Sequence, residues 1–313
     1  MSGSVGRELE RIAGAGRVHA EAPLAPLTTF RIGGPADWLV ELEDPDRIGL
    51  LVEFVRGAEL PLTVLGGGSN VLVADRGVRG VVLRIHRGGC RRLGAERIRA
   101  DAGLSLNGLV RWTVRQGLGG LEEWAGTPGC VGGAIRGNAH FRGRLIGERV
   151  TGAVLLARSG ELSQVAADAL ELGYDRSRIQ RTGEVLLSAD FRVAEADPAR
   201  LREGARGSLV YRKRTQPLAL PSAGCAFQNP DVETDRLPEG IPASAGALID
   251  RVGLKGHAIG GARVSAVHAN FIVNEGGASA ADVAALVELC RQRVADRFGV
   301  SLAEEIVRLG ESH

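Results

Sequence analysis

The sequence predicts an α+β protein of two domains, and three observations support that fold class. From Leu27 onward, short apolar runs separated by glycine turns alternate with amphipathic helical patterns. The chain has 313 residues, 44% hydrophobic and 24% charged, which is enough for two cores beneath an ordinary polar surface. A polar, alanine-rich stretch at 194–199, ended by proline, is the best linker candidate. We therefore expect an N-terminal extension at 1–20, a first domain at 21–195 and a second at 200–313.

Helix and strand signals follow in order along the chain. Residues 1–20 are polar and indicate a short helix or a loose end. Asp44 and Pro45 form a helix N-cap with proline at the first helical position, and the predicted buried face is Leu50, Leu51, Phe54 and Val55. Further helices are predicted at 105–116, 199–214 and 280–298, the last with a capping box of Ser279 and Asp282 and a stop at Gly299. The predicted strands are 63–65, 71–73, 81–85, 150–157, 184–193, 263–274 and 305–309.

Charge and hydropathy exclude several classes of protein. The formal net charge is +2, from 39 Lys and Arg against 37 Asp and Glu, and the basic run 212–214 is too short for a nucleic-acid patch. No run of 18 apolar residues is present, and residues 1–20 lack the apolar centre of a signal peptide. We therefore expect a cytoplasmic protein that binds neither nucleic acid nor membranes.

The cysteines and histidines indicate neither disulfides nor a metal site. Cys90, Cys130, Cys225 and Cys290 are scattered without a Cys-x-x-Cys pair, and the six histidines show no His-x-x-x-His spacing. Cys290 falls on the apolar stripe of the predicted helix at 280–298, where it reads as a core residue.

Three glycine clusters, at 29–34, 65–70 and 126–133, are the strongest functional signal among the 45 glycines. Consecutive glycines let backbone N–H groups converge on an anion such as a pyrophosphate, and Ser69 and Asn70 add side-chain donors. One such cluster is often only a turn, but three in the first 135 residues favour a nucleotide cofactor. The residues after Gly66–Gly68 form another strand and no helix, so this is not the Rossmann fingerprint and an NAD dehydrogenase is disfavoured.

The motifs at 65–70, 126–133 and 138–139 resemble the FAD-binding motifs of the UDP-N-acetylenolpyruvoylglucosamine reductase family, within the p-cresol-methylhydroxylase/vanillyl-alcohol-oxidase superfamily. The resemblance spans about residues 20 to 311 and continues in family order at 221–230, 247–256, 264–268, 271–274 and 305–310. It implies an FAD-binding domain of two subdomains, followed by an α+β substrate-binding domain. Only 86 positions separate Gly224 from Gly310, so the chain resembles the shorter form of the enzyme, which lacks the segment that closes over the substrate.

The resemblance implies the reaction and the cofactor. NADPH reduces a non-covalently bound FAD, and hydride then passes from flavin N5 to C3 of the enolpyruvyl ether of UDP-N-acetylglucosamine. Protonation at C2 completes UDP-N-acetylmuramate, a peptidoglycan precursor. Covalent attachment of FAD through Cys130 or His140 is conceivable, but the family match argues against it. The implied cofactor-binding residues are Arg31, Gly66, Gly67, Gly68, Ser69, Asn70, Gly126, Thr127, Pro128, Gly129, Gly132, Gly133 and Asn138.

The proton donor and its partner acid lie in the second domain. The family's proton-donating serine falls on Cys225 of this sequence, and a thiol, with an ordinary pKa of about 8.5, gives up its proton more easily than a hydroxyl. The alternative is that Ser222 is the donor and Cys225 is only a buried thiol. Glu305 matches the family's catalytic glutamate, and we expect the adjacent Glu304 to face solvent.

The family's catalytic arginine has no direct counterpart. The pattern Tyr-Arg-x-Ser would place it directly after Tyr174, where this sequence has Asp175. Either Arg176 or Arg178 must take the role, and Arg176 is favoured because it is closer to the motif position. The family's Asn-Ala-Gly-Ala-Tyr-Gly is also replaced, by Asn138-Ala-His-Phe-Arg-Gly143, which alters the packing expected near the flavin. The expected substrate-binding residues are Tyr174, Arg178, Arg214, Gln216 and Asn229.

Two other functions remain open. One is a flavin oxidase of the same fold acting on a small alcohol or sugar, which would need no acid at Cys225. The other is a nucleotide-sugar binding protein that kept the fold without turnover. Intact candidates at Cys225 and Glu305 favour the reductase, which we expect to be a monomer.

Overall fold

The computed structural model describes residues 2–232 and 237–310, and the elements named here belong to that part of the chain. The helices are α1 Ser2–Ala13, α2 Pro45–Gly57, α3 Leu106–Arg115, α4 Val131–Arg136, α5 Arg178–Thr182, α6 Pro198–Thr215, α7 Ala245–Arg251 and α8 Ala280–Phe298. Short 3-10 turns lie at Ala25–Leu27, Glu122–Trp124, Ile146–Arg149 and Ala167–Leu170.

The strands are short, and most belong to antiparallel ladders. In chain order they are β1 Val18–Pro23, β2 Pro35–Glu41, β3 Leu62–Leu65, β4 Val71–Val73, β5 Val78–Arg84, β6 Cys90–Arg92, β7 Arg97–Asp101, β8 Leu118–Gly119, β9 His140–Phe141, β10 Arg144–Leu145, β11 Val150–Leu156, β12 Leu162–Ala166, β13 Val185–Arg192, β14 Ala194–Glu195, β15 Ser222–Cys225, β16 Ala258–Ile259, β17 Ala262–Val264, β18 Phe271–Asn274 and β19 Val307–Leu309.

The chain forms two compact units that are discontinuous in sequence. The first comprises Met1–Ala22, Ala36–Gly67 and Arg79–Tyr211, and the second comprises Pro23–Pro35, Gly68–Val78 and Arg212–His313. These units differ from the expected division at 195–200. The stretch expected to be a linker lies inside the first unit, because β14 pairs with β8 and α6 begins at Pro198.

The first unit is built on a five-stranded sheet of order β12-β11-β13-β7-β6 and a four-stranded sheet of order β1-β2-β5-β3. β13 lies at the centre of the five-stranded sheet, and seven of its eight residues are buried. Trp124 and Phe191 are among the largest fully buried side chains of this unit's core. The buried residues of β13 include Asp190, whose carboxylate accepts from the Arg99 guanidinium at 2.6 and 2.8 Å.

Helix α2 confirms the predicted cap and corrects its predicted face. The Asp44 carboxylate accepts from the amide of Asp46, and Pro45 opens the helix. The buried side chains are Ile48, Leu51, Val52 and Val55. The prediction that Leu50 is buried was wrong, since its side chain is 49% exposed. Successive helical residues point about 100° apart, so Leu50 lies off the stripe that Leu51 and Val55 define.

The second unit packs α7 and α8 with a four-stranded sheet of order β15-β18-β17-β16. The region expected to be one strand at 263–274 is two, β17 and β18, paired antiparallel. The predicted capping box of Ser279 and Asp282 is confirmed, as is the stop at Gly299, with φ +70°. Cys290 is buried on the inner face of α8, as predicted. β4 and β19 form a parallel pair that ties residues 68–78 to the end of the chain.

A search of the described helices finds none with the length and apolar character needed to cross a membrane.

Candidate active site

Two glycine loops of the first unit meet backbone against backbone. A Cβ added at Gly67 would lie 2.6 Å from Cα of Gly129 and 3.1 Å from the amide nitrogen of Cys130. A Cβ at Gly66 would overlap the sulfur of Cys130. Gly129 also has φ +97°, in the region that side chains rarely adopt. The spacing of these loops therefore requires glycine at 66, 67 and 129.

The loop at 126–133 is held by a residue that motif analysis missed. The Asn107 side chain, on α3, accepts from the amide of Gly126 at 2.6 Å and donates to the carbonyl of Thr127 at 3.1 Å. The amide of Gly132 donates to the Ala102 carbonyl at 2.8 Å. Asn107 lies outside every glycine cluster, so only the packing of α3 on the loop identifies it.

Gly133 differs from its neighbours because packing within the protein does not require it to be glycine. Outside its chain neighbours and the backbone of its own helix, the nearest heavy atom to a Cβ placed there is the Cys130 sulfur, at 4.0 Å, an ordinary contact distance. The open side of Gly133 leaves room for a group that approaches the backbone closely. This fits the backbone approach that a dinucleotide pyrophosphate requires.

In the second unit, residues 68–70 are held by the segment at 23–35 and by the end of the chain. Gly68, with φ +61°, accepts from the amide of Thr29 at 2.9 Å. The Asn70 amide group donates to the Glu305 carbonyl at 3.1 Å, while its Oδ1 is buried without a hydrogen-bond partner. A buried acceptor without a donor is costly, and a polar cofactor such as FAD can supply that donor. Arg31 is exposed and has φ +56°.

Asn138 supports the fold with both ends of its side chain. Its Oδ1 accepts from the amide of Gly147 and its Nδ2 donates to the carbonyl of Gly173, each at 2.8 Å. Only 1% of the residue is exposed. Its side chain therefore positions the turn that begins at Gly173, and its contact with FAD stays a prediction.

The turn at 173–176 presents Tyr174 and Asp175. Gly173 and Arg176 exchange backbone hydrogen bonds of 3.0 and 3.2 Å, which closes the turn. Tyr174 is 43% exposed, and its ring lies 4.8 Å from the His140 ring, centroid to centroid. Asp175, at φ +49°, brings its Oδ1 to 3.3 Å from Nδ1 of His140.

The two candidate arginines have different surroundings. Arg178 makes a two-point ion pair with Glu184, at 2.6 and 2.9 Å, and also donates to the Ala169 carbonyl. The Glu184 carboxylate raises the pKa of Arg178, and the guanidinium in turn lowers the pKa of Glu184. Arg176 is exposed, its guanidinium lies over Gly173, and the described part of the chain records no ion pair for it. Arg178 thus supports structure, and Arg176 is the better catalytic candidate.

Cys225 and the Glu305 backbone are brought together in the second unit. Cys225 ends β15 and is half-buried, and the amide of Glu305 donates to the carbonyl of Ala226 at 2.9 Å. The expectation that Glu304 faces solvent was wrong. Its side chain is only 16% exposed because it pairs with Arg308 at 2.9 Å and with Arg291 at 3.5 Å.

Arg212, which opens the basic run expected to meet the substrate's anionic groups, is buried in this unit. It is 5% exposed, its Nε has no hydrogen-bond partner, and its Nη1 donates to Oε1 of Gln216 at 3.4 Å. Burial lowers the pKa of Arg212 to about 10, and its electrostatic interaction with Cys225 opposes that change. Arg214, predicted to bind substrate, is exposed on the same helix.

Asn229, also predicted to bind substrate, caps a helix. Its Oδ1 accepts from the amide of Ala245 at 3.1 Å, at the start of α7. The direct roles of Asn229, Gln216 and Arg214 toward a substrate stay predictions.

Comparison with known proteins identifies the family of this chain. Residues 36–166 match the profile of the FAD binding domain, and residues 216–309 match the profile of the UDP-N-acetylenolpyruvoylglucosamine reductase C-terminal domain. The UDP-N-acetylenolpyruvoylglucosamine reductase of Anaeromyxobacter sp. (strain Fw109-5) is 43% identical, covering 98% of this chain and 92% of the relative. The one from Synechococcus sp. (strain WH7803) is 39% identical, covering 96% of each.

A solved structure agrees with these relatives. The crystal structure of UDP-N-acetylenolpyruvylglucosamine reductase from Thermus caldophilus has a TM-score of 0.75 and 32% identity, and the match covers 93% of this chain and 98% of that one. The glycine loops and the FAD-binding profile first define the class, a flavoprotein with an FAD-binding domain, as predicted. Within that class, the chain belongs to the UDP-N-acetylenolpyruvoylglucosamine reductase family.

Proposed function

We propose that this chain reduces UDP-N-acetylglucosamine enolpyruvate to UDP-N-acetylmuramate, with NADPH as the reductant and FAD as the cofactor. The observation that carries this proposal is the pairing of an FAD-binding domain with the reductase's C-terminal domain in one chain. FAD, once reduced, supplies the hydride for C3 of the enolpyruvyl group. The protein itself must bind the substrate, orient it and protonate C2.

The cofactor is held by backbone more than by side chains. The proposed residues are Arg31, Gly66–Asn70, Gly126–Gly129, Gly132, Gly133 and Asn138. Loops that meet at Gly67 and Gly129 cannot accept side chains, so a pyrophosphate would contact N–H groups directly. The buried Oδ1 of Asn70 provides one acceptor for a donor of the cofactor.

Cys225 is the proposed acid that protonates C2. Arg212 is the buried cation that interacts with Cys225, and it favours the thiolate that remains after the proton has left. Glu305 is the proposed catalytic carboxylate, and its backbone is held to the residue after Cys225. The acid, the cation and the carboxylate all belong to the second unit.

The acidic substrate needs cationic and polar partners. We assign Arg176 to the developing enolate, because Arg178 is already paired with Glu184. Tyr174, Arg214, Gln216 and Asn229 are the remaining proposed contacts to the sugar nucleotide. The FAD-binding function is assigned to 21–195 and substrate binding to 200–313. The protein is proposed to act as a cytoplasmic monomer that binds neither nucleic acid nor membranes.

The decisive experiment is anaerobic. The purified flavoprotein is reduced with NADPH, excess NADPH is removed, and UDP-N-acetylglucosamine enolpyruvate is added while flavin absorbance is followed. We expect reoxidation of the flavin with formation of UDP-N-acetylmuramate. A flavin that stays reduced with this substrate yet reoxidises rapidly with O₂ would exclude the reductase and favour the oxidase.

A matched pair of variants tests the acid. Cys225→Ser keeps a proton donor and restores the family residue, so we expect it to retain substantial activity. Cys225→Ala removes the donor, and we expect a rate loss of about 100-fold or more, the usual range for general acid catalysis. Equal activity of the two variants would move the role to Ser222 or to water.

A further inference from the structure

Two departures from the family pattern lie side by side in the first unit. Where the family has arginine after the tyrosine, this chain has Asp175, and where the family has glycine in Asn-Ala-Gly, it has His140. The two residues are 35 positions apart in sequence, yet Nδ1 of His140 lies 3.3 Å from Oδ1 of Asp175. Where the family has an arginine, this chain therefore has the carboxylate of Asp175, which contacts the imidazole of His140.

The backbone is arranged to keep this pair together. Asp175 adopts φ +49°, a conformation that disfavours most side chains, within the closed turn at 173–176. The turn is tied to the segment that carries His140, because Asn138 donates to the Gly173 carbonyl. The Gln180 side chain donates to the Asp175 carbonyl at 3.0 Å. These hydrogen bonds fix the turn and hold the Asp175 carboxylate beside the His140 imidazole.

The carboxylate is short of donors. The Asp175 side chain is 11% exposed, its Oδ1 faces His140, and its Oδ2 is buried without a hydrogen-bond partner. A buried carboxylate favours a positive charge on its neighbour, and a histidine can supply one near neutral pH. The nearby cations Arg142 and Arg176 belong to the same two segments, and Arg142 lies over the Tyr211 ring, 5.1 Å from its centroid.

The pair is unlike the ion pair that supports structure nearby. Arg178 and Glu184 engage each other through two hydrogen bonds. Asp175 leaves one oxygen without a hydrogen bond, and the ring of its histidine lies 4.8 Å from the Tyr174 ring at a tilt of 38°. Tyr174 is 43% exposed and is a predicted substrate contact. The His140 imidazole therefore faces a ring proposed to contact the substrate.

We propose that His140 is a catalytic residue of this chain: oriented by Asp175, its imidazole acts beside Arg176 to stabilise the charge that develops on the substrate carboxylate during hydride transfer. Asp175 is its positioning residue. The inference rests on the proposed function, since it needs the enolpyruvyl substrate. No bond changes in this role, because the proton at C2 still comes from the acid at Cys225.

The kinetic test separates the two half-reactions in stopped-flow measurements on the holoenzyme. His140→Gln and Asp175→Asn should leave flavin reduction by NADPH within about twofold of wild type, while His140→Gln slows reoxidation by the enolpyruvyl substrate about 100-fold, the size expected for losing one charge-stabilising group. His257→Gln, which changes an exposed histidine of the second unit, is the matched control and should change neither rate.

A restoration variant guards against simple loss of folding. The double variant His140→Gly with Asp175→Arg installs the family residues at both positions, and we expect it to reoxidise at least about tenfold faster than His140→Gln. Melting temperature and flavin content are recorded for every variant. A double variant no faster than His140→Gln, with flavin bound, would overturn the proposal.

A second measurement does not depend on turnover. The Cε1–H resonance of His140, assigned from His140→Gln, is titrated by NMR in the oxidised holoenzyme. We expect Asp175→Asn to move this titration to lower pH, because the carboxylate no longer favours the cation. An unchanged titration, or unchanged reoxidation in His140→Gln, would refute the role. A wild-type enzyme that fails to reoxidise with the substrate would instead refute the proposed function.

Discussion

The glycine contact between Gly67 and Gly129 and the turn at 173–176 belong to the same unit, but they build their parts of the site in opposite ways. The loops present backbone, and at Gly67 and Gly129 no side chain can be accommodated. The turn presents side chains, Tyr174 and Asp175, on a backbone held by hydrogen bonds. The loops keep the family pattern, whereas the turn departs from it at Asp175.

The difference shows which parts of a site can change. Where two backbones touch, as at Gly67 and Gly129, any side chain would push the loops apart, so these positions must stay glycine. A side-chain charge can be supplied from another position, provided that a second residue comes within reach. His140, 3.3 Å from Asp175, is placed for such an exchange.

The largest effect is expected at the glycine loops. Gly67→Ala would force apart backbone atoms 2.6 Å from the new methyl group, and overpacking of this kind costs about 1–3 kcal/mol, which would weaken FAD binding by about 5- to 150-fold. Flavin retention is measured from the ratio of absorbance at the flavin band to that of protein. Gly49→Ala, on α2 with no atom within 4 Å of its Cβ, is the control and should retain flavin. If both variants bind FAD like wild type, the loops are not built as described.

The next largest effect distinguishes the roles of Arg176 and Arg178, the two arginines beside the turn. Arg178→Gln leaves the Glu184 carboxylate, 11% exposed, without its cationic partner and with only the Thr182 hydroxyl as a side-chain donor. We expect it to lower the free energy of unfolding by about 1–3 kcal/mol. Arg176→Gln should leave stability unchanged and slow only flavin reoxidation by substrate. Urea unfolding of both variants decides between these outcomes, and equal stabilities would contradict the distinction.

The ion pair also has a pH dependence. Because Arg178 lowers the folded-state pKa of Glu184, the pair stabilises the protein above the ordinary glutamate pKa. This contribution is lost as pH falls through the folded-state value. The gap in stability between wild type and Arg178→Gln should therefore narrow in acid, as measured by melting temperature across pH.

A smaller effect concerns His268, a partly buried histidine of the second unit. Burial, and then the charge of Lys255, lower the pKa of His268, whose Nδ1 accepts from the Asn270 amide. The unfolded chain therefore takes up this proton first, and stability should fall as pH drops below the ordinary histidine value. His268→Gln should flatten the dependence of melting temperature on pH between about 5 and 7. A slope that persists unchanged would assign it to other groups.

The smallest effect concerns the reactivity of the four cysteine thiols toward an alkylating reagent. Burial raises the pKa of Cys90 and Cys290 to about 12 each, so both thiols stay protonated. Cys130 is buried against Gly66. We expect iodoacetamide at neutral pH to label Cys225 first, as identified by mass spectrometry, and Cys225→Ser to abolish this fast phase. Rapid labelling of Cys130 would mean that the loops open readily.

Much of the fold was predictable because its signals are local. The cap at Asp44, the capping box at Ser279 and the apolar strand at 184–193 depend on neighbouring residues, and all were confirmed. The errors arose where the exposure of a side chain depends on residues that are not adjacent to it in sequence. Glu304 is covered by Arg291 and Arg308, and Leu50 lies off the buried stripe of its helix.

The sequence by itself determined the family and the cofactor, because the glycine loops carry their chemistry in a short span. It also predicts Cys225 as the acid, from the residues around that position. The tertiary structure decided which charges are already paired, which cation is buried at Arg212, and that Asp175 meets His140. Those facts depend on distances between residues far apart in the chain. Burial and charge pairing arise only when packing brings such residues together and removes water from around them.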